Sequence, residues 1–267
     1  MRTQLNILRS VDYPEEKMYK KQYDTKKYPF AKMVAGLFEV QNLTELHSLD
    51  KGLCDGTRLS QENEAETSFH KKYYERLNSG WPELTETFTN FVENEISKII
   101  KGPFLYQTTP SFRVHVPNQT AVSKWHYDSD PNHGHPDWEI NIQIALTRAF
   151  DTSATWVESV PGLGDYQPMN LEQDEYIIFN GIKCVHGNYG NKTENTRVSY
   201  DFRVLPCMMY DGYGEPIFSL YRGIDIKRFK ATQHGFVGKF NSPHSYYGKE
   251  WVPGGYYTLY EPGESNV

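Results

Sequence analysis

Two periodicities divide the chain. From Pro82 onward the apolar residues Leu84, Phe88, Phe91, Val92, Ile96, Ile99 and Ile100 recur at three- and four-residue steps. This predicts an amphipathic helix that runs to Lys101 with Pro82 in its first turn. A shorter helix is predicted over 65–77, and both helices need a sheet to cover their apolar stripes. After Lys101 the period falls to two, with strands predicted at Ser111–Val116, Glu139–Thr147, Ala154–Ser159, Tyr176–Phe179 and Arg197–Leu205 and a turn at Asn180-Gly181. Helices followed by many short strands predict a mainly β fold with flanking helices, a sandwich or barrel backed by the N-terminal region.

The alternation in these strands places acids, amides and arginines on one side. Glu139, Asn141 and Gln143 alternate with isoleucines, Arg197, Ser199, Asp201 and Arg203 alternate with Val198, Tyr200 and Phe202, and Arg113 and His115 do the same in the segment Phe112-Arg-Val-His-Val. An antiparallel sheet with one face in water would produce this pattern. A barrel whose inner wall is a polar cavity would also produce it, and the histidines and aspartates nearby favour the cavity.

Composition narrows the class. Of 267 residues, 38% are hydrophobic, 15% aromatic and 23% charged, which excludes a disordered tail, a collagen-like fibre and a disulfide-rich mini-domain. A net charge of −6 argues against nucleic acid or an anionic membrane as partner. The longest apolar runs are far too short to span a bilayer and the N-terminus lacks a signal-peptide core, so a soluble, cytoplasmic protein is expected. Cys54, Cys184 and Cys207 form no CxxC pair and are expected to be reduced thiols. The sequons at Asn42, Asn118 and Asn191 are then chance matches. The run Lys17 to Lys27, with interleaved tyrosines, reads as a solvated charged face. With no repeat or linker, one domain over 1–267 is expected: a mostly helical region over 1–100, the β core over 101–207, and an extension over 208–267 that could fold over the site as a lid.

The candidate chemistry begins at His126-Tyr127-Asp128. Residues two apart on an extended strand project from one side, so the imidazole and the carboxylate can reach one ion. His186, 58 residues beyond Asp128, follows an apolar strand and a short turn, as a third ligand from a neighbouring strand would. Two histidines and one carboxylate on one face of an octahedron leave three positions open, which suits non-haem Fe(II) with a co-substrate and O2. Eleven residues after His186 comes Arg197-Val-Ser199, a guanidinium fork and a hydroxyl on one side of a strand, suited to the far carboxylate of a chelating dicarboxylate. Arg203 shares that face and is an alternative anchor. A competing zinc site would take His126, His133 and His135, leaving His186 and Arg197 unexplained.

These residues, in this order on β-strands, resemble the Fe(II)/2-oxoglutarate-dependent dioxygenases of the double-stranded β-helix (jelly-roll, cupin-like) fold over roughly 111–205. More narrowly, the segments Phe112-Arg-Val-His-Val-Pro117, Trp125-His-Tyr-Asp-Ser-Asp130, Gly134-His-Pro136, Glu139-Ile-Asn141 and Leu146-Thr147 are similar to the StrG-type branch associated with streptomycin biosynthesis, itself similar to BesD-type amino-acid hydroxylases and halogenases. The resemblance implies Fe(II) on His126, Asp128 and His186 as the catalytic centre. It implies 2-oxoglutarate held by Arg197 and Ser199, and O2-dependent oxidation of a small-molecule substrate with release of succinate and CO2. Halogenases of this group carry a small residue in place of the metal-binding carboxylate; Asp128 therefore favours hydroxylation, desaturation or cyclisation. Arg113, Asp130, Glu139, Asn141 and, from the extension, Trp251 or Tyr256 are candidate substrate contacts, for an amino acid, a guanidino compound or an aminocyclitol. A cupin-like module that binds a metal and a small molecule without turnover is the alternative.

Overall fold

The computed structural model describes residues 18–54, 67–100, 102, 104–120, 125–130, 139–206 and 257–260. The architecture is mainly β with a layer of helices, and among the described residues every strand pairing is antiparallel. Helix α1 (Phe30–Phe38) buries Phe30, Val34 and Phe38, one residue per turn. Helix α2 (Ser68–Asn78) starts at Thr67, whose hydroxyl accepts the backbone N–H of His70. Helix α3 (Pro82–Phe91) opens with the proline that needs no N–H partner there and buries Leu84, Phe88 and Phe91.

The predicted single helix to Lys101 changes character at Val92–Ile96, where Ser97 N–H bonds the Val92 carbonyl, five residues back. The side chains of Asn94 and Ser97 donate to the carbonyls of Asn90 and Glu93. Those bonds compete with the regular ladder, and the wider turn is the result.

Among the described residues, seven strands form the large sheet: β1 (Tyr19–Gln22), β7 (Glu175–Phe179), β4 (Ile140–Ala145), β9 (Arg197–Pro206), β2 (Phe104–Gln107) and β10 (Tyr257–Tyr260) in that order, with β3 (Ser111–His115) also on β9. Three form the small sheet, in the order β6 (Gln167–Pro168), β5 (Thr155–Val157), β8 (His186–Asn188). The expected strands are present at nearly the expected bounds. The Lys17–Lys27 segment is more than a solvated face: β1 is an edge strand on β7, with Lys20 Nζ 3.0 Å from Glu175 Oε2, and the following Tyr23 and Tyr28 are buried.

The apolar side of the large sheet packs under the helices. Ile142, Ile144, Tyr176, Ile178, Val198, Tyr200, Phe202 and Val204 meet Phe30, Phe88 and Phe91 in one core. Phe91 lies edge-on to Tyr23, Tyr28, Phe30 and Tyr176, an arrangement in which ring edges meet the negative faces of neighbours. The polar side is buried as well: all six residues of β4 are inaccessible, including Asn141 and Gln143. It faces the small sheet, across a smaller core of Ala145, Ala154, Val157, Ile177, Phe179 and Cys184. The alternation therefore marks an interior polar wall. No helix among the described residues is long and apolar enough to cross a membrane.

Phe91→Ala should destabilise the fold by about 3–5 kcal/mol, since the cavity would open where four aromatic rings meet. Urea denaturation followed by circular dichroism measures this; an unshifted midpoint would show that the helix layer can be remodelled without cost.

Candidate active site

A two-residue bridge assembles the site. His126 and His186 exchange backbone hydrogen bonds at 3.0 and 2.8 Å, fastening the segment before Asp128 to β8. Asp128 N–H then bonds the Gly181 carbonyl and Ser129 N–H the Ile182 carbonyl, so the His-x-Asp stretch is held along its length. The imidazole rings lie 4.6 Å apart, centroid to centroid. Asp128 Oδ1 is 3.2 Å from His126 Nε2 and 3.6 Å from His186 Nε2. One ligand atom from each of the three residues lies within 4.8 Å of the others, so the group could hold a metal ion.

His186 is set up as a neutral donor of its Nε2 lone pair. Its Nδ1–H points at the Cys184 carbonyl, 3.1 Å away, which leaves Nε2 directed to the site. Burial presses its pKa down to about 4, against the opposing pull of the Asp128 carboxylate.

The second oxygen of Asp128 is occupied. Oδ2 accepts Asn141 Nδ2 at 2.7 Å, Arg203 Nη2 at 2.9 Å and Arg203 Nε at 3.2 Å. Asn141 comes from β4 and Arg203 from β9, so the large sheet grips the carboxylate whose other oxygen faces the histidines. Arg203 also stands 3.6 Å from Glu139 Oε2, and its backbone N–H bonds Gln107 Oε1. The geometry thus places Arg203 on Asp128 and Glu139, with Nη1 also 3.9 Å from Asp201 Oδ2. The Asp128 carboxylate is 1% exposed, and such a group needs partners of this kind.

Arg197 and Ser199 lie further along β9 on the same wall. Arg197 Nη1 donates to Ser199 Oγ at 2.9 Å and Nε to the Ser153 carbonyl at 3.2 Å. His115 sits across from Arg197 in the β3–β9 register, fully buried, with Nε2 3.4 Å from the Gln119 carbonyl. Burial and the adjacent Arg197 charge press its pKa down to about 3. Gln143 on β4 donates Nε2 to Ser199 Oγ at 3.2 Å.

Among the candidate substrate contacts, Glu139 and Asn141 are buried on the wall, and Arg113 forms an ion pair with Asp201 at 2.7 Å. Asp130 lies in the turn after the ligand stretch, its N–H on the Tyr127 carbonyl. Trp251, Tyr256, His133 and His135 lie outside the described residues, as does the extension proposed as a lid except for 257–260, which form β10 at the edge of the large sheet beside β2. Gln143, His115 and the Asp128 partners Arg203 and Asn141 are placed by the sheet. Their membership of one polar face was readable from the alternation, but their partners were not.

No family model matches the chain. It is 30% identical over 189 residues to the streptomycin biosynthesis protein StrG of Streptomyces griseus, an alignment covering 71% of this chain and 85% of that protein. Similar solved structures include the non-haem alpha-ketoglutarate-dependent carbocyclase SnoK from nogalamycin biosynthesis, at a TM-score of 0.43 and 10% identity over 78% of this chain and 84% of that one. The epimerase SnoN of the same biosynthesis gives a TM-score of 0.42 at 10% identity, covering 76% and 84%. AviO1 from Streptomyces viridochromogenes Tue57 gives 0.41 at 13%, covering 76% and 94%.

The buried imidazole beside Arg197 makes stability depend on pH. His115 titrates near 6.5 when unfolded and about 3 when folded, so between those values the unfolded chain binds the extra proton and stability falls as pH is lowered. His115→Gln should remove one proton from this dependence, flattening the slope between about pH 6 and pH 4 by roughly 1.4 kcal/mol per pH unit. Urea midpoints across that window measure it, and a slope equal to that of the wild type would show that His115 is not buried neutral.

Proposed function

The chain belongs to the StrG family, and from that premise we propose that it is an Fe(II)- and 2-oxoglutarate-dependent oxygenase built on a double-stranded β-helix. Its reaction would most simply be hydroxylation of a small polar metabolite with release of succinate and CO2. The observation that carries this reading is the convergence of His126 Nε2 and His186 Nε2 on Asp128 Oδ1, at 3.2 and 3.6 Å. Neighbouring ligands about 2.1 Å from one octahedral ion lie about 3 Å apart, so the donor set fits the ion in both chemistry and spacing. Bound there with 2-oxoglutarate, Fe(II) would supply the O2-dependent oxidation of a substrate C–H bond.

The residues supply the rest. Asp128 would bind through one oxygen only, because Arg203 and Asn141 hold the other; single-oxygen ligation keeps half of the coordination sphere for co-substrate and O2. Arg197 and Ser199 would hold the distal carboxylate of 2-oxoglutarate. The engagement of Arg203 with Asp128 supports Arg197 as that anchor. Asp128 itself favours hydroxylation over halogenation within the resemblance.

For the substrate, Glu139 and Asn141 offer buried acceptors close to Asp128, and Asn141 Oδ1 takes no hydrogen bond from the described residues. The wall also carries the Arg113–Asp201 pair, so both charge signs are present, as an amino acid, guanidino compound or aminocyclitol would require. Arg113, Asp130, Glu139, Asn141 and Trp251 remain the proposed contacts.

Asp128→Ala should abolish succinate formation in an aerobic assay with Fe(II), ascorbate and 2-oxoglutarate. Arg197→Ala should raise the 2-oxoglutarate requirement by roughly 10- to 100-fold, the range for losing hydrogen bonds to a charged group. A mass-spectrometric screen of amino acids and aminocyclitols for the gain of one oxygen atom then identifies the substrate. Wild-type turnover by Asp128→Ala would end the proposal.

A further inference from the structure

Ser199 Oγ is buried, 1% of the residue being exposed, and it receives two hydrogen bonds: Arg197 Nη1 at 2.9 Å from its own strand and Gln143 Nε2 at 3.2 Å from β4. A serine hydroxyl has two acceptor positions and one proton to give. Both acceptor positions are filled, and among the described residues the hydroxyl donates to none. Its proton is therefore left for something that accepts. A buried donor without a partner costs free energy, which a ligand oxygen would recover.

The surroundings define that ligand. Arg197 is also held by the Ser153 carbonyl through Nε, so its guanidinium is bonded at both Nε and Nη1. His115, across the β3–β9 register and neutral, adds no second cation. A hydroxyl compelled to donate beside one fixed guanidinium complements a group that is anionic and purely an acceptor, which is a carboxylate. Resting on the oxygenase reading and deepening it, we propose that Gln143 is a positioning residue for the co-substrate: by donating to Ser199 it makes the serine a dedicated donor and selects a 2-oxo acid with a second, distal carboxylate.

Gln143 acts through Ser199 and not by touching the ligand's reacting end, so the discriminating measurement is a ratio. The protein loaded with Mn(II) is titrated calorimetrically with 2-oxoglutarate and with 2-oxobutyrate, which keeps the chelating end and lacks the distal carboxylate. Gln143→Leu removes the enforcing donor and should weaken 2-oxoglutarate by about 10-fold while leaving 2-oxobutyrate unchanged. Gln143→Glu captures the serine proton and adds an anion beside the guanidinium, so the loss for 2-oxoglutarate should reach about 100-fold or more. Mn(II) affinity should be unchanged in both, because Asp128 and the two histidines are untouched.

Two results would overturn the inference. If the amide were turned the other way, with its carbonyl accepting from Ser199, then Gln143→Leu would release the hydroxyl, and 2-oxoglutarate would bind equally well or more tightly. If Gln143 served only to hold the sheet together, both oxo acids would weaken in parallel. Wild-type protein that binds Mn(II) but not 2-oxoglutarate would take down the oxygenase reading itself, and this inference with it, a failure distinguishable from the other two because it precedes any substitution.

Discussion

The two oxygens of Asp128 face different halves of the molecule. Oδ2 belongs to the large sheet, through Asn141 on β4 and Arg203 on β9, while Oδ1 faces His126 and His186, which are tied to the small sheet. A carboxylate this deeply buried is tolerated only if its charge and lone pairs are met, and Arg203 meets the charge directly. The same contact limits the carboxylate's rotation, so what stabilises the buried acid also sets the direction in which it could ligate an ion. Losing Arg203 would therefore disturb stability and geometry together, and an experiment that reads only one of them would misassign its role.

That constraint explains why the polar wall is organised as linked pairs. Arg113 meets Asp201, Arg203 meets Asp128 and Glu139, and Arg197 meets Ser199 and the Ser153 carbonyl. Around Asp128, Glu139 and Arg197, which are buried, each unmatched member would be costly and each matched member is held more firmly than it would be in water, while the partly exposed Arg113–Asp201 pair lies nearer the solvent. The wall stays rigid because the other side of the same strands is an aromatic and aliphatic core under three helices. Alternation along β4 and β9 thus assigns one set of side chains to the aromatic and aliphatic core and the other to the polar wall, and a one-residue slip in register would exchange them.

This sidedness is why much of the fold could be read in advance. Asn141 and Gln143 between isoleucines, and Arg197, Ser199 and Arg203 between Val198, Tyr200 and Phe202, announce two faces. His126, Asp128 and His186 announce a candidate metal site by residue type. The sequence does not show which strand lies beside which, so Gln143 reads as one more polar residue until β4 is found next to β9, with Ser199 within reach. Short elements were harder for the same reason. Strand β8 is three residues long and exists because β5 and the His126 bridge hold it; β1 is an edge strand whose lysines resemble any solvated run. Helix α1 is different, since Phe30, Val34 and Phe38 carried a usable four-residue signal next to that charged run. Asn191 fits the reading of its sequon as a chance match: the residue is buried with its amide donating to the His115 and Asn195 carbonyls.

Two glycines complete the dependence on Asp128, through atoms they lack. A β-carbon on Gly181 would stand 2.9 Å from Asn141 Cγ and 2.8 Å from the Phe179 ring, and one on Gly187 would stand 2.9 Å from the Trp125 indole. Gly181 also supplies the carbonyl that holds Asp128 N–H, and Gly187 lies between His186 and Asn188 on β8. The backbone carrying His186 therefore approaches the Asp128 clamp on one side and the residue preceding His126 on the other, at distances no larger residue permits. A methyl group at Gly181 would press on Asn141, which holds Oδ2, and on the Phe179 ring, which lies edge-on to the His186 imidazole. At Gly187 it would push Trp125, and with it the bridge between the histidines. Gly181 thus couples the carboxylate's clamp to the His186 ring through Phe179, while Gly187 acts through Trp125 on the bridge that pairs the two histidines.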